Sequence, residues 1–123
     1  MKRTAMEVYQ AFGQGMMSGT DSWKAFIAED ISFTGPVDKV KGKADFIALN
    51  EAFMPTIRGN SVIKEVESGD WVITQLEMKI TMNSGKTITL DMCEWYEIRD
   101  EKIQSMKIYY DAQEFREAMG MKN

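Results

Sequence analysis

Residues 71–110, WVITQLEMKITMNSGKTITLDMCEWYEIRDEKIQSMKIYY, decide the fold of this chain. Apolar and polar side chains alternate through most of this stretch, and a period of two is typical of strands with one buried face. Short polar breaks at residues 83–85 and 99–101 divide it into three predicted strands. These strands cover residues 71–82, 86–98 and 102–110. Connections this short indicate that consecutive strands pair antiparallel.

The chain before this stretch adds one strand and a helical N-terminal half. Residues 62–67 predict a strand that a turn at residues 68–70 joins to the others. Apolar residues at helical spacing predict an amphipathic helix over residues 4–17 and a third helix from Gly42 to about Met54. Helices followed by an antiparallel meander indicate an α+β fold, with the helices on one face of the sheet.

The segment between the two long helices is less regular. Trp23, Phe26 and Ile27 predict the buried face of a short second helix, and residues 31–33 predict a short strand. Residues 36–42 predict a solvated loop, or a mobile lid over a cavity.

Composition excludes several classes of function. The 123 residues suit one domain, residues 1–123, and carry a net charge of −4 with no basic stripe, so we expect no nucleic-acid partner. No apolar run is long enough for a membrane span, and the N-terminus lacks the apolar core of a signal peptide. The single cysteine, Cys93, fits a reducing compartment, so we expect a cytoplasmic protein.

Histidine is absent, which removes imidazole bases, histidine triads and imidazole metal ligands. We therefore expect neither a metal nor a cofactor, since no cluster of other ligands has suitable spacing.

Alternation assigns one face of the meander to the interior, and Glu94 is its exception. A buried unpaired carboxylate is costly or becomes protonated, so a functional group is one interpretation: a general acid or base, or a residue that orients a ligand. A β-bulge that turns Glu94 outward, or an ion pair with a helix residue, is the other. The inner set is Val72, Thr74, Leu76, Met78, Ile80, Met82, Ile88, Leu90, Met92, Glu94, Tyr96, Ile98, Met106, Ile108 and Tyr110.

The opposite face is polar except for Trp71, Trp95 and Tyr109. Exposed aromatic groups of this kind often mark subunit contacts, so we expect a homodimer through this outer sheet face. Half-buried rim positions, or cover from the C-terminal segment, are the alternatives.

The chain resembles the nuclear transport factor 2-like superfamily, with SnoaL-like polyketide cyclases, ketosteroid isomerase and limonene epoxide hydrolase as the nearest branches. The resemblance rests on the aromatic first helix, Gly42 before the third helix, and residues 33–36, 94–103 and 109–111. It implies a cone-shaped α+β barrel, with N-terminal helices on a strongly curved, mainly antiparallel sheet that encloses an apolar pocket. Such folds host unrelated functions.

The known chemistries of these branches transfer poorly. Gly35 stands where the isomerase branch has its base before Pro36, and Phe12 falls near its tyrosine position. Glu94 falls near the protonated acid of that branch, which donates a hydrogen bond. Of the epoxide hydrolase set, only Asp111 is matched; the other two positions are Leu76 and Met78.

Asp111 also has a structural interpretation. Residues 111–114 have capping-box spacing before a helix carrying Phe115 and Met119, so Asp111 is a weak catalytic candidate and a better helix cap.

Three functions of different classes remain open. We expect a domain that binds a small apolar molecule, with Glu94 in its pocket. The alternatives are an isomerase, cyclase or dehydratase using Glu94 as acid and base, or a non-catalytic dimerisation module. The expected ligand-binding residues are Tyr9, Phe12, Trp23, Phe33, Leu76, Met78, Met92, Tyr96, Met106 and Tyr110.

Overall fold

Six strands form one curved sheet in the computed structural model, which describes residues 2–118 and residue 120. The α-helices are α1 (Ala5–Met17), α2 (Lys43–Phe53) and α3 (Gln113–Ala118), and two short 3₁₀ helices cover Ser22–Phe26 and Met54–Thr56. The strands are β1 (Ile27–Thr34), β2 (Lys39–Lys41), β3 (Ile57–Ser68), β4 (Trp71–Thr81), β5 (Thr87–Arg99) and β6 (Lys102–Tyr109). Met119, expected on the last helix, lies outside the described residues.

The strand order is β2-β1-β6-β5-β4-β3, and every neighbouring pair is antiparallel except β1 with β6, which run parallel. The α+β class and the meander of β3 to β6 are therefore confirmed. The sheet does not close into the expected barrel: it is open, with β2 and β3 as its two edges. One edge strand has three residues and the other twelve, and the two are not paired.

Two predictions for the N-terminal half are wrong in detail. The second helix is a 3₁₀ turn, and Ile27 begins β1, which is longer than the expected strand at residues 31–33. The expected loop at residues 36–42 contains β2, held by antiparallel pairing with β1. Strand pairing supplies partners for backbone groups that the local sequence pattern leaves unassigned.

Helix α1 is fixed at its start by side chains. The Thr4 Oγ1 atom accepts a hydrogen bond from the Glu7 amide at 3.1 Å, and Glu7 Oε1 accepts one from the Thr4 amide at 2.7 Å. This capping box satisfies amides that a helix terminus leaves free. The Met6 amide also donates to Glu67 Oε2 at 2.9 Å, which ties α1 to β3.

The inner faces predicted for β4 and β5 are confirmed, because all of their assigned side chains are buried. The core they build has two parts. One, here the α1 cluster, lies where α1 and the first 3₁₀ helix cover the sheet; the other, the α3 cluster, lies where Phe115 of α3 packs on it. The helices in the described part of the chain are too short or too polar to cross a membrane.

Replacing Gly13 or Gly15 of α1 by alanine is expected to change the stability of the protein in opposite directions. A Cβ at Gly15 would lie 2.7 Å from Ser22 Oγ and 2.8 Å from the Trp23 amide nitrogen, whereas a Cβ at Gly13 would meet nothing within 4 Å. Gly13→Ala should stabilise the protein by about 0.5–1 kcal/mol through helix propensity. Gly15→Ala should destabilise it by about 1–3 kcal/mol, because the backbone of the 3₁₀ helix must move. Urea unfolding measures both, and equal stabilisation by the two changes would contradict the close contact.

Candidate functional site

Three polar side chains form a row across the inner face of the sheet. Glu65 of β3 lies opposite Thr74 of β4, and Thr74 lies opposite Glu94 of β5, so the register places Thr74 between the two carboxyl groups. Directly opposed residues of antiparallel strands point to the same face. We call Glu65, Thr74 and Glu94 the polar row. It ends at β6, where Ile108 lies opposite Glu94.

Glu94 is buried, with 8% of its surface exposed, so the bulge that would turn it outward is not present. The Tyr96 hydroxyl donates a hydrogen bond to Glu94 Oε1 at 2.8 Å. Among the described residues, no lysine or arginine forms an ion pair with Glu94. The ion-pair interpretation therefore finds no partner in the described part of the chain.

Burial dominates the electrostatics of this carboxyl group. It raises the pKa of Glu94 from 4.5 to about 7, while the hydrogen bond from Tyr96 acts in the opposite direction. Burial also raises the pKa of Tyr96 well above its ordinary value, with the charge of Glu94 adding to the effect. Near neutral pH, Glu94 can therefore either hold or release a proton, which an ordinary glutamate cannot.

Thr74 and Tyr9 complete the polar surroundings of Glu94. Thr74 is fully buried, and its Oγ1 atom has no hydrogen-bond partner among the described residues. Tyr9 of α1 is half-buried, and its ring lies 5.0 Å from that of Tyr96 in an edge-to-face arrangement. Burial raises the pKa of Tyr9 to about 12; the nearby Thr74 hydroxyl opposes this, and the charges of Glu94 and Glu65 add to it. The hydroxyls of Tyr9 and Thr74 thus lie close together beside two acids.

The expected pocket residues are divided between the two core clusters. Phe12, Trp23, Phe33, Tyr96 and Met106 belong to the α1 cluster, and Leu76, Met78 and Met92 belong to the α3 cluster. These eight are buried, whereas Tyr9 and Tyr110 are half-buried. The polar row lies between the two clusters. The paired residues Leu76 and Met92 of the α3 cluster flank it on one side, and the paired residues Val72 and Tyr96 of the α1 cluster flank it on the other.

The β3 end of the polar row is its exposed side. The inner-face residues of β3, which lie opposite buried residues of β4, are themselves exposed; they are Asn60, Val62, Glu65 and Glu67. Helix α1 contacts β4 and β5 beside them. Within the polar row, Glu65 is therefore the member that solvent reaches, whereas Thr74 and Glu94 are buried.

Asp111 lies away from this row and is exposed. Its Oδ1 atom accepts a hydrogen bond from the Gln113 amide at 3.0 Å, just before α3. The Ala112 carbonyl accepts the first helical bond, from Arg116, so Asp111 holds the turn one residue earlier than the capping box predicts. Asp111 therefore stabilises the turn that leads into α3, and the expected capping box at residues 111–114 is not formed.

A second set of polar side chains, Arg116, Tyr110 and Asp38, lies beside α3. Arg116 donates a hydrogen bond to the Pro36 carbonyl at 3.0 Å. Burial raises the pKa of Tyr110 to about 12; the charge of Asp38 adds to the rise and that of Arg116 opposes it. Within residues 2–118 and 120, no three Cys, Asp or Glu side chains are grouped so that they could hold a metal ion.

The outer sheet face retains its aromatic patch. Trp71, Trp95 and Tyr109 are 38%, 39% and 49% exposed, and the two tryptophan rings lie 6.0 Å apart. A shallow groove of about 360 Å³ lies beside them, with Ile73 and Cys93 in its lining. Helix α3 packs on the inner face through Phe115, so the described C-terminal residues do not cover the patch.

The sequence of this chain matches one known family of protein domains. The sequence model of the SnoaL-like domain matches residues 5–106. The chain belongs to the SnoaL-like domain family. No curated protein is significantly similar to this SnoaL-like domain in sequence.

Solved structures share the fold of this SnoaL-like domain at low sequence identity. A protein from Kribbella flavida has a TM-score of 0.83 and 17% identity, over 97% of this chain and 96% of that one. A nuclear transport factor 2-like protein of unknown function from Cytophaga hutchinsonii has a TM-score of 0.78 and 19% identity, over 94% and 96%. A hypothetical protein with a ketosteroid isomerase-like fold from Catenulispora acidiphila, in complex with trimethylamine, has a TM-score of 0.75 and 16% identity, over 94% of each chain.

Sequence reasoning singled out Glu94 but missed both of its neighbours in the polar row. Thr74 was among the inner-facing residues, and its hydroxyl group was the overlooked signal. Glu65 was hidden because a bulge between Val62 and Lys64 breaks the alternation of β3. Counting back from the turn at Gly69 and Asp70 would have paired Glu65 with Thr74.

Proposed function

We propose that this SnoaL-like domain binds a small, largely apolar molecule whose single polar group contacts the polar row. The observation that carries the proposal is Glu94: a carboxyl group buried on an apolar face, with one neutral donor and no cationic partner in the described part of the chain. Thr74 beside it offers a buried hydroxyl whose neighbour is the hydroxyl of Tyr9. Unsatisfied buried polar groups are costly, so they suit a site that a ligand completes.

The apolar part of the ligand has a surface available next to this row. Val62 of β3 is about half exposed on the inner face, and it lies opposite Leu76 of the α3 cluster. A relative of the same fold was solved in complex with trimethylamine, which supports a small-molecule role for such folds.

The test is a thermal-shift screen of small apolar molecules, followed by amide chemical-shift mapping of the hits. A ligand at about 100 times its dissociation constant should stabilise the protein by about 2.7 kcal/mol. The shifts should map to Thr74, Glu94 and neighbouring inner-face residues. Glu94→Gln should weaken binding, whereas Glu77→Gln on the outer face of β4 is the matched control and should not. A screen with no hit and no inner-face shift would contradict the proposal.

Catalysis is the second candidate, and the pKa of Glu94 favours it. A carboxyl group with a pKa of about 7 is suited to transfer protons at neutral pH, as an isomerase, cyclase or dehydratase requires. The absence of a base at Gly35, and of the arginine and the aspartate of the hydrolase set at Leu76 and Met78, favours binding without catalysis. A non-catalytic dimerisation module would leave the polar row unused.

The single cysteine supports a cytoplasmic location within either proposal.

We also propose that the domain forms a homodimer through its outer sheet face. The exposed Trp71, Trp95 and Tyr109 support this, because contiguous exposed aromatic surface is typical of subunit contacts. A two-fold axis over the patch would bring the same tryptophan pair from both copies together.

A further inference from the structure

We propose that the ligand's polar group is a cation, an organic ammonium held between Glu94 and Glu65 above Thr74. This assignment rests on the proposed binding function and specifies the chemistry of the ligand. It follows from the charges that face the polar row, from the spacing of its side chains and from the buried Thr74 hydroxyl at its centre, which lies next to that of Tyr9.

Among the described residues, the charged groups that face the row are the acids Glu65 of β3 and Glu94 of β5. Tyr9 of α1 and Tyr96 of β5 face it as neutral hydroxyls, because burial raises their pKa values, and β4 and β6 contribute the uncharged Thr74 and Ile108. The salt bridges of the described residues join Lys24 with Asp21 and Glu51, and Arg99 with Glu97, so none involves the row. Arg116, the cation of α3, donates to the Pro36 carbonyl instead.

The spacing suits one small cation. Glu65 and Glu94 lie on strands separated only by β4, which places their backbones about 10 Å apart. Glutamate side chains from both sides can reach toward a group above Thr74 in that interval. An ammonium group can donate to both carboxylates and to Thr74 Oγ1, which has no partner among the described residues.

The half-buried Tyr9 adds a further polar group beside the row. Its hydroxyl lies close to Thr74 and to both glutamates, and it can accept a hydrogen bond from an ammonium group. A neutral alcohol would gain the hydrogen bonds to Thr74 and Glu94 but not the charge attraction.

The experiment compares benzylamine with benzyl alcohol, which match in shape and differ in charge, by amide chemical-shift titration at pH 6, 7 and 8. We expect benzylamine to bind at least tenfold tighter than the alcohol at pH 8. Because ionised Glu94 is the form that binds it, its affinity should rise about tenfold from pH 6 to pH 8. The affinity for the alcohol should not rise.

Three variants complete the experiment. Glu94→Gln should lower benzylamine affinity at pH 8 at least tenfold and remove the pH dependence. Glu65→Gln should lower it two- to threefold, since that side chain is exposed, and the control Glu77→Gln should leave it unchanged. The cation assignment is wrong if uncharged probes bind as tightly as benzylamine, in which case the proposed function stands. If neither these probes nor the apolar panel shifts inner-face amides, both are wrong.

Discussion

Replacing Glu94 by glutamine is expected to raise the free energy of unfolding at pH 8 by about 3 kcal/mol and to leave it nearly unchanged at pH 4.5. Burial raises the pKa of Glu94 from 4.5 to about 7 in the folded protein. A tenfold change in an ionisation constant corresponds to about 1.4 kcal/mol, so ionising the buried group opposes folding by roughly the amount that glutamine should restore. Glutamine stays neutral at both pH values, and its amide oxygen can still accept the hydrogen bond from Tyr96.

The sign follows from proton binding. Between pH 4.5 and 7 the folded protein keeps a proton on Glu94 that the unfolded chain releases, so wild-type stability falls as the pH rises through this interval. Above pH 7 both states are ionised at this position, and the cost stays constant. Glu94→Gln should remove this slope and raise the melting temperature at pH 8 by roughly 10 °C.

Urea unfolding at half-unit intervals from pH 4.5 to pH 8 measures the effect. Glu77→Gln is the matched control, because it removes an exposed glutamate from the neighbouring strand and should keep the wild-type slope. Parallel profiles for wild type and Glu94→Gln would show that Glu94 titrates as an ordinary surface glutamate. The acid–base and ligand proposals would then lose their physical basis.

Trp95→Glu is expected to convert the proposed dimer into a monomer without unfolding the chain. On the outer face Trp95 lies opposite Lys107 of β6, so the new carboxylate gains a cross-strand partner within its own subunit. Across a two-fold interface the same change removes a large aromatic contact and brings two like charges together. We expect the dimer dissociation constant to rise at least a hundredfold.

Analytical ultracentrifugation over a wide concentration range measures this change, with circular dichroism to confirm folding. Thr89→Glu is the matched control: it lies on the same strand face, opposite Lys79, about 20 Å from Trp95 along β5. It should leave the dimer intact. A wild-type protein that sediments as a monomer at several hundred micromolar would contradict the dimer proposal.

The strands of the C-terminal half could be predicted because their signal is local. Alternation along β4 and β5 assigned every buried side chain correctly, including Glu94, since each residue's face depends only on its position in an extended strand. The elements of the N-terminal half were harder to predict. Ile27 has helical spacing with Trp23, yet it pairs with Ile103 of β6, a contact 76 residues away that no local pattern contains.

The sequence by itself determined the α+β class, the meander and the presence of one acid on an apolar face, because these follow from the order and period of neighbouring residues. Tertiary structure decided that the sheet stays open, that Thr74 stands between Glu65 and Glu94, and that no described cation accompanies them. These features depend on the register of paired strands and on a bulge in β3. The pKa of Glu94 depends in turn on the helices and strands that exclude water from it.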